Sequence, residues 1–172
     1  RENYDEKTWR MHRWAYARLT ESVDAEIGVL LDALEDSGLA DNTWVIFTSD
    51  HGDMDASHRL EHKTALYEEA CNVPLLIRPP GGMTGRVDLD HVVSSGIDLL
   101  PTLCDIAGAS VPAEMQGDSM LPLVKDAHTA EWRDGLLVEA QTGVMLASRD
   151  YTYALYDKGA NREQLYDLRR DP

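Results

Sequence analysis

Apolar positions recur at spacings of three and four from Trp9 to Leu34, through His12, Tyr16, Leu19, Val23, Ile27, Leu30 and Leu31. They draw one stripe down a 3.6-residue period and predict a single long helix over residues 8–37. Gly38 stands where a left-handed cap ends such a helix, and Asp41-Asn42 turns the chain onward. The pattern then changes: Trp44-Val45-Ile46-Phe47-Thr48 is bulky, β-branched or aromatic and free of charge, which predicts a strand buried on both faces of a parallel sheet. A polar run follows as far as Lys63. Beyond it the sequence predicts a short helix over residues 64–70 and a second apolar strand over residues 73–77, with Pro74 at its start, where a missing donor is tolerated. Pro79-Pro80-Gly81-Gly82 reads as a turn and Val92-Val93 as a short edge strand. Ser95 opens the next helix with Asp98 in a capping-box arrangement, Pro101 in the first turn and Gly108 as the stop.

After Lys125 the period shortens to that of strands. Leu136-Leu137-Val138, Val144-Met145-Leu146, residues 151–156 and residues 164–168 are short runs of strand formers divided by Gly143, Asp150 and Gly159. The expected organisation is therefore α/β, with a sheet and flanking helices over residues 1–125 and a small antiparallel β subdomain over residues 126–172. The 172 residues suffice for one ordinary domain, or one domain with a small appendage.

Charge narrows the classes of partner. With 31 acidic and 16 basic residues the formal net charge is −15, so no broad positive field is available for nucleic acid or an anionic membrane. A small anionic substrate remains compatible, because a metal ion and one or two cations can make a local positive site on an acidic protein. No apolar run reaches 18 residues, and the charged, aromatic first twenty residues do not read as a signal peptide. The start at Arg1 reads as cut from a longer chain. Cys71 and Cys104 lack metal-like spacing and read as two buried thiols.

Titratable groups concentrate in residues 50–63. Asp50 and His51 follow the first strand at once, at the end of the strand where open α/β sheets place ligands. A carboxylate oxygen and an imidazole nitrogen from neighbouring residues can reach one divalent cation if other ligands come from elsewhere. Taken as a dipeptide alone, Asp50 reads first as a turn cap and His51 as an ordinary loop residue. Lys63 precedes the predicted short helix, whose N-terminal end would help its ammonium bind a sulfate or phosphate oxygen. His58 is a candidate hydrogen-bond donor or general acid. His58-Arg59-Leu60-Glu61-His62 also matches H-x-x-E-H, a zinc-protease pattern that requires a longer amphipathic helix than the polar context here supplies.

The order of blocks carries a resemblance. Gly38-Leu39, Asp41-Asn42-Thr43, the apolar strand, Ser49-Asp50-His51-Gly52, His58, Lys63, Tyr67-Glu68 and Val73-Pro74-Leu75 come first. Residues 98–103 (Asp-Leu-Leu-Pro-Thr-Leu), Ala107-Gly108, Gly117, Ser119, Leu121-Pro122-Leu123, residues 165–168 and Asp171-Pro172 follow. Nearly the whole chain thus resembles the C-terminal half of the sulfatase family, within the alkaline phosphatase superfamily. The resemblance implies that Asp50 and His51 are the second pair of metal ligands, with calcium the usual ion and manganese or magnesium compatible with a His ligand. It implies that Lys63 contacts the sulfate and the leaving oxygen and that His58 is a frequent active-site-loop histidine.

The family nucleophile is a formylglycine made in a C/S-x-P-x-R motif, and this sequence has no such motif. Cys71 is not that residue, because its Pro comes one place late. The formylglycine and the first metal-binding Asp pair are therefore expected in an N-terminal part outside this sequence, leaving the chain inactive alone. The implied reaction is hydrolysis of a small-molecule or carbohydrate sulfate ester. Phosphodiester or phosphonate monoester hydrolysis, and a non-catalytic module, are the competing readings. A sheet cut in this way would leave apolar surface uncovered, which predicts a homo-oligomer.

Overall fold

The computed structural model describes residues 3–125 and 131–170. The chain is mixed α/β, with helices and two antiparallel sheets. It divides into two compact units: Arg1–Lys63 with Tyr67–Gly85, and Thr64–Leu66 with Arg86–Pro172. The expected boundary after Lys125 abuts residues 126–130, which lie outside the described residues, as do Asp171-Pro172.

The first unit opens with helix α1, Glu6–Asp36. Asp5 caps its start, its carboxylate accepting from the Thr8 N–H at 2.7 Å, and Gly38 follows its end at φ +70°. The helix is where its periodicity puts it, but the stripe is not a core face in this chain: Trp9 is buried, whereas Leu19, Val23 and Leu30 are 57–69% exposed. Strand β1, Val45–Thr48, pairs with β2, Leu75–Arg78, from Val45 opposite Arg78 to Thr48 opposite Leu75. This pair corrects the expectation of a parallel strand covered on both faces. The strands are antiparallel, and Phe47 and Leu76, facing each other in register, are both exposed. An uncharged run of strand formers specifies a strand but not its neighbours, and among the described residues no third strand joins this sheet. The predicted short helix shrinks to α2, Glu68–Cys71, a single turn entered from an extended Tyr67.

In the second unit the Leu66 N–H donates to the Tyr156 hydroxyl, a tertiary contact that replaces the helix expected over residues 64–67. Val92-Val93 forms no strand; the Val92 carbonyl accepts from the Trp132 indole at 2.7 Å instead. Helix α3, Leu99–Ala107, starts later than expected and ends at Gly108, φ +66°. Its N-cap position holds Asp98, fully buried, whose carboxylate accepts from the Ser94 and Asp118 N–H groups and from both arms of Arg133, at 2.5 and 2.7 Å. The capping reach thus runs to Ser94 rather than Ser95. Gly117 passes so close to the Ile97 carbonyl that a Cβ would lie 2.0 Å from it. Helix α4, Leu121–Lys125, buries Leu121 and Leu123. Strands β3 (Gly135–Ala140), β4 (Gly143–Ser148), β5 (Tyr151–Tyr156) and β6 (Glu163–Asp167) follow as an antiparallel meander in chain order. Alternation buries Met145, Thr152 and Ala154, as the predicted small antiparallel sheet requires.

Candidate functional site

The site grows from the end of β1, where backbone contacts fix residues 49–52. Ser49 Oγ donates to the His51 carbonyl at 2.7 Å, the His51 N–H donates to Asp50 Oδ1 at 3.0 Å, and the Gly52 N–H donates to the Ala70 carbonyl at 2.9 Å. A Cβ at Gly52 would stand 2.0 Å from the Glu69 carbonyl oxygen, so only glycine allows this approach.

That backbone aims the imidazole. His51 Nδ1 lies 2.7 Å from the Gly52 carbonyl, which can only accept, so Nδ1 carries the hydrogen and the neutral ring keeps its lone pair on Nε2. Asp50 Oδ2 lies 3.3 Å from Nε2, and the Lys63 ammonium meets the same nitrogen. Asp50, His51 and Lys63 are therefore together beyond the carboxyl end of β1. Desolvation works to raise the Asp50 carboxyl, but the adjacent His51 ring, the His51 and Asp50 N–H groups and Lys63 together hold it below its ordinary value. The predicted help from a helix N-terminus does not reach Lys63, since α2 begins at Glu68 and is one turn long.

The two donor atoms suit one divalent cation, because an imidazole lone pair and a carboxylate oxygen converge on the same solvent-open corner. They make part of a shell. Among the described residues no group of three or more His, Cys, Asp or Glu could hold a metal ion.

His58 does not join this cluster through any hydrogen bond or ion pair among the described residues. Its ring stacks on Tyr67, centroids 4.3 Å apart and planes 16° from parallel. It sits in a loop where Asp55, Ala56, His58, Arg59 and His62 all take positive φ, each at a cost of about 1–2 kcal/mol. The fully buried Met54 anchors that loop, its N–H donating to the His62 carbonyl, while the Ala56 N–H donates to the Leu60 carbonyl. Left-handed residues at His58, Arg59 and His62 leave no helical face for the H-x-x-E-H pattern, which removes the zinc-protease reading.

The linear sequence missed the helix residues that brace this loop. Arg13 Nε donates to the Asp55 carbonyl at 3.2 Å, and His12 stands 3.8 Å from Asp55 and 3.7 Å from Glu61. The available signal was a titratable ring at a stripe position. Cys71 and Cys104 are free and half-buried, and burial together with Glu68 pushes the Cys71 thiol up to about 11, far from a nucleophile's range.

The chain matches two family models, Sulfatase over residues 2–109 and N-sulphoglucosamine sulphohydrolase, C-terminal, over residues 56–172. It is 35% identical, over 99% of its length, to a Delta 4,5-hexuronate-2-O-sulfatase of Bacteroides thetaiotaomicron, of which it covers 37%. Two solved structures share its fold. A 2-O GAG sulfatase superposes with a TM-score of 0.87 at 32% identity, over 98% of this chain and 38% of the other. A protein in complex with its substrate D-glucosamine-2-N,6-O-disulfate superposes with a TM-score of 0.78 at 29% identity, over 89% and 33%. The chain thus spans between a third and two fifths of the length of these relatives. With models covering both ends and the alkaline-phosphatase-like fold in common, this chain belongs to the sulfatase family.

Proposed function

We propose that this chain is the C-terminal part of a metal-dependent sulfatase that hydrolyses carbohydrate sulfate esters. The observation that carries the reading is the convergence of Asp50, His51 and Lys63 at one corner, in a chain of this family. Asp50 Oδ2 and His51 Nε2 supply part of the shell of a divalent cation, calcium, manganese or magnesium. Bound there, the cation would supply Lewis-acid polarisation of the sulfate, and a formylglycine from outside this sequence would be the nucleophile. The Gly52 carbonyl holds the His51 tautomer that keeps Nε2 available, and Lys63 binds a sulfate oxygen and stabilises charge on the leaving oxygen. His58, stacked on Tyr67, orients the loop that ends at Lys63 and can give a hydrogen bond to the leaving group. The sulfated sugars named for the relatives support a carbohydrate sulfate as substrate.

The direct test uses the longer protein that contains the C/S-x-P-x-R segment. Lys63→Ala should lower kcat on a sulfated saccharide by about 10²–10³-fold. Unchanged hydrolysis would overturn the role of Lys63. Faster turnover of a phosphonate monoester than of the sulfate would favour the phosphonate reading, and no turnover of either would favour a non-catalytic module. The chain by itself should show weak or no calcium binding in calorimetry, and tight one-to-one binding would mean the shell is complete without further ligands. The exposed stripe on α1 also supports a homo-oligomer as part of this proposal.

A further inference from the structure

Among the described arginines, Arg10 and Arg59 are the two whose guanidinium has no partner. The others reach carboxylates or carbonyls: Arg13 on Asp55, Arg18 on Glu21, Arg78 on Glu35, Arg86 on Leu123, Arg133 on Asp98, Arg149 on Asp90, Arg162 on Tyr156, Arg169 and Arg170 on Asp167. On a chain with 31 acidic residues, two unpaired guanidiniums at one place call for an explanation. Both line a single open groove of about 480 Å³ in the first unit, a volume ordinary for a small-molecule site.

Arg13, His58 and Trp9 line the same groove, and Glu6 is its one carboxylate. Three arginines against one glutamate leave it positive on a chain of net charge −15. Trp9 is 5% exposed, and its buried indole Nε1 has no acceptor, an unsatisfied donor of a kind folded proteins seldom leave without a reason. Arg59 is held at φ +56°, and its exposed side chain has no hydrogen bond or ion pair among the described residues. Backbone strain and unpaired charge therefore coincide on this residue.

We infer that this groove is a second anion subsite, in which Arg10 and Arg59, assisted by Arg13, hold an oxyanion of the saccharide remote from the ester that Lys63 faces. The inference rests on the sulfatase reading for the identity of that saccharide. The forked guanidinium matches a carboxylate or a sulfate with two parallel hydrogen bonds, so the group is a uronate carboxylate or a second sulfate. Arg59 is four residues from Lys63, which limits their Cα separation to about 14 Å, within the span of one oligosaccharide. Glu6 in the lining repels any anion, so an anion that occupies the groove has to engage the arginines to offset that repulsion.

Calorimetry on this chain at low salt tests the inference without turnover. The probes are a disaccharide with one uronate carboxylate and one O-sulfate, its methyl ester, and a disulfated counterpart lacking the carboxylate. The unmodified chain should bind the acid, and Arg10→Gln combined with Arg59→Asn, which keeps a residue tolerant of positive φ, should weaken binding about tenfold or more. Arg10→Lys should recover part of the loss. Weaker binding of both the methyl ester and the disulfated probe than of the acid assigns the groove to the carboxylate, whereas a disulfated probe that binds as tightly as the acid, with the methyl ester weaker, assigns it to either oxyanion; a methyl ester that binds as tightly as both overturns the subsite. A chain that binds none of the probes, or a double variant that binds them as tightly as the unmodified chain, overturns the subsite. The Lys63→Ala hydrolysis experiment fails or succeeds independently of this binding result.

Discussion

The two compact units differ in what their polar groups do. In the unit of residues 64–66 and 86–172, the deepest charge, Asp98, is fully buried and saturated by two backbone N–H groups and the Arg133 fork. Four strands in chain order satisfy one another, and Met120, Leu121, Leu123, Met145 and Ala154 are buried. The unit of residues 1–63 and 67–85 has the opposite character. Its sheet is two strands, its long helix exposes most of its apolar stripe, and its loop holds five non-glycine residues at positive φ. Asp50, His51, Lys63 and the unpaired arginines all belong to it. Satisfied polar groups make a scaffold, whereas groups left open or strained are available for a ligand.

The largest expected effect breaks the scaffold. Arg133→Ala leaves the Asp98 carboxylate buried without its counter-charge, which should cost about 3–5 kcal/mol of stability. Urea unfolding followed by near-ultraviolet dichroism should show the loss, with the helical signal of α1 persisting to higher denaturant. A loss below about 1 kcal/mol would mean that the two backbone donors alone satisfy Asp98 and that the contrast between the units is overstated.

A smaller effect sharpens the contrast on the other side. Val23→Asp with Leu30→Lys alters two residues already 57% and 69% exposed, so folding stability should move by no more than about 0.5 kcal/mol. Self-association should fall instead. Light scattering over a concentration series should show mass growing with concentration for the unmodified chain and a constant monomer for the variant. A constant monomer for both would remove the homo-oligomer from the proposal.

What was legible in the sequence follows the same division. Helix α1 and strands β3–β6 could be read because their periods are local and their stops, Gly38, Gly143 and Gly159, sit beside them. Asp50 and His51 were readable as neighbours at a strand end. Lys63 was readable as a candidate anion ligand and the resemblance gave it a sulfate, but its contact with His51, twelve residues away, was not readable. The antiparallel partner of β1 and the Asp98–Arg133 pair, 35 residues apart, depend on tertiary placement that no local pattern encodes. The left-handed loop was illegible for a different reason. Asp55, His58 and His62 are of types enriched at positive φ, but Ala56 and Arg59 are not, and contacts from Arg13 and Met54 impose what those two residues' own preferences resist.

The smallest effect sets two aspartates against each other. Asp55, in the first unit, is raised above its ordinary value of 3.8: desolvation is the largest influence and Asp53 adds to it, while His12 and Arg13 oppose it. Asp88, in the second, is lowered: desolvation again opposes the charge, but the Asp90 and His91 N–H groups and the His91 side chain outweigh it. The signs of their linkage follow. Asp88 binds its proton more weakly folded than unfolded, so its contribution is present above 3.8 and is lost as pH falls through the depressed folded value. Asp55 binds its proton more tightly folded, so stability is lost as pH rises from 3.8 through the raised folded value. Both side chains are about a third exposed, which keeps each contribution small. Asp55→Asn should therefore flatten a decline in stability just above pH 3.8, and Asp88→Asn a decline just below it. Denaturant midpoints collected between pH 3 and 5 would show the two variants departing from the unmodified chain on opposite sides of 3.8. Departures on the same side would mean that the loop braced by Arg13 holds Asp55 as a satisfied ion, and that the strained unit is less open than its geometry indicates.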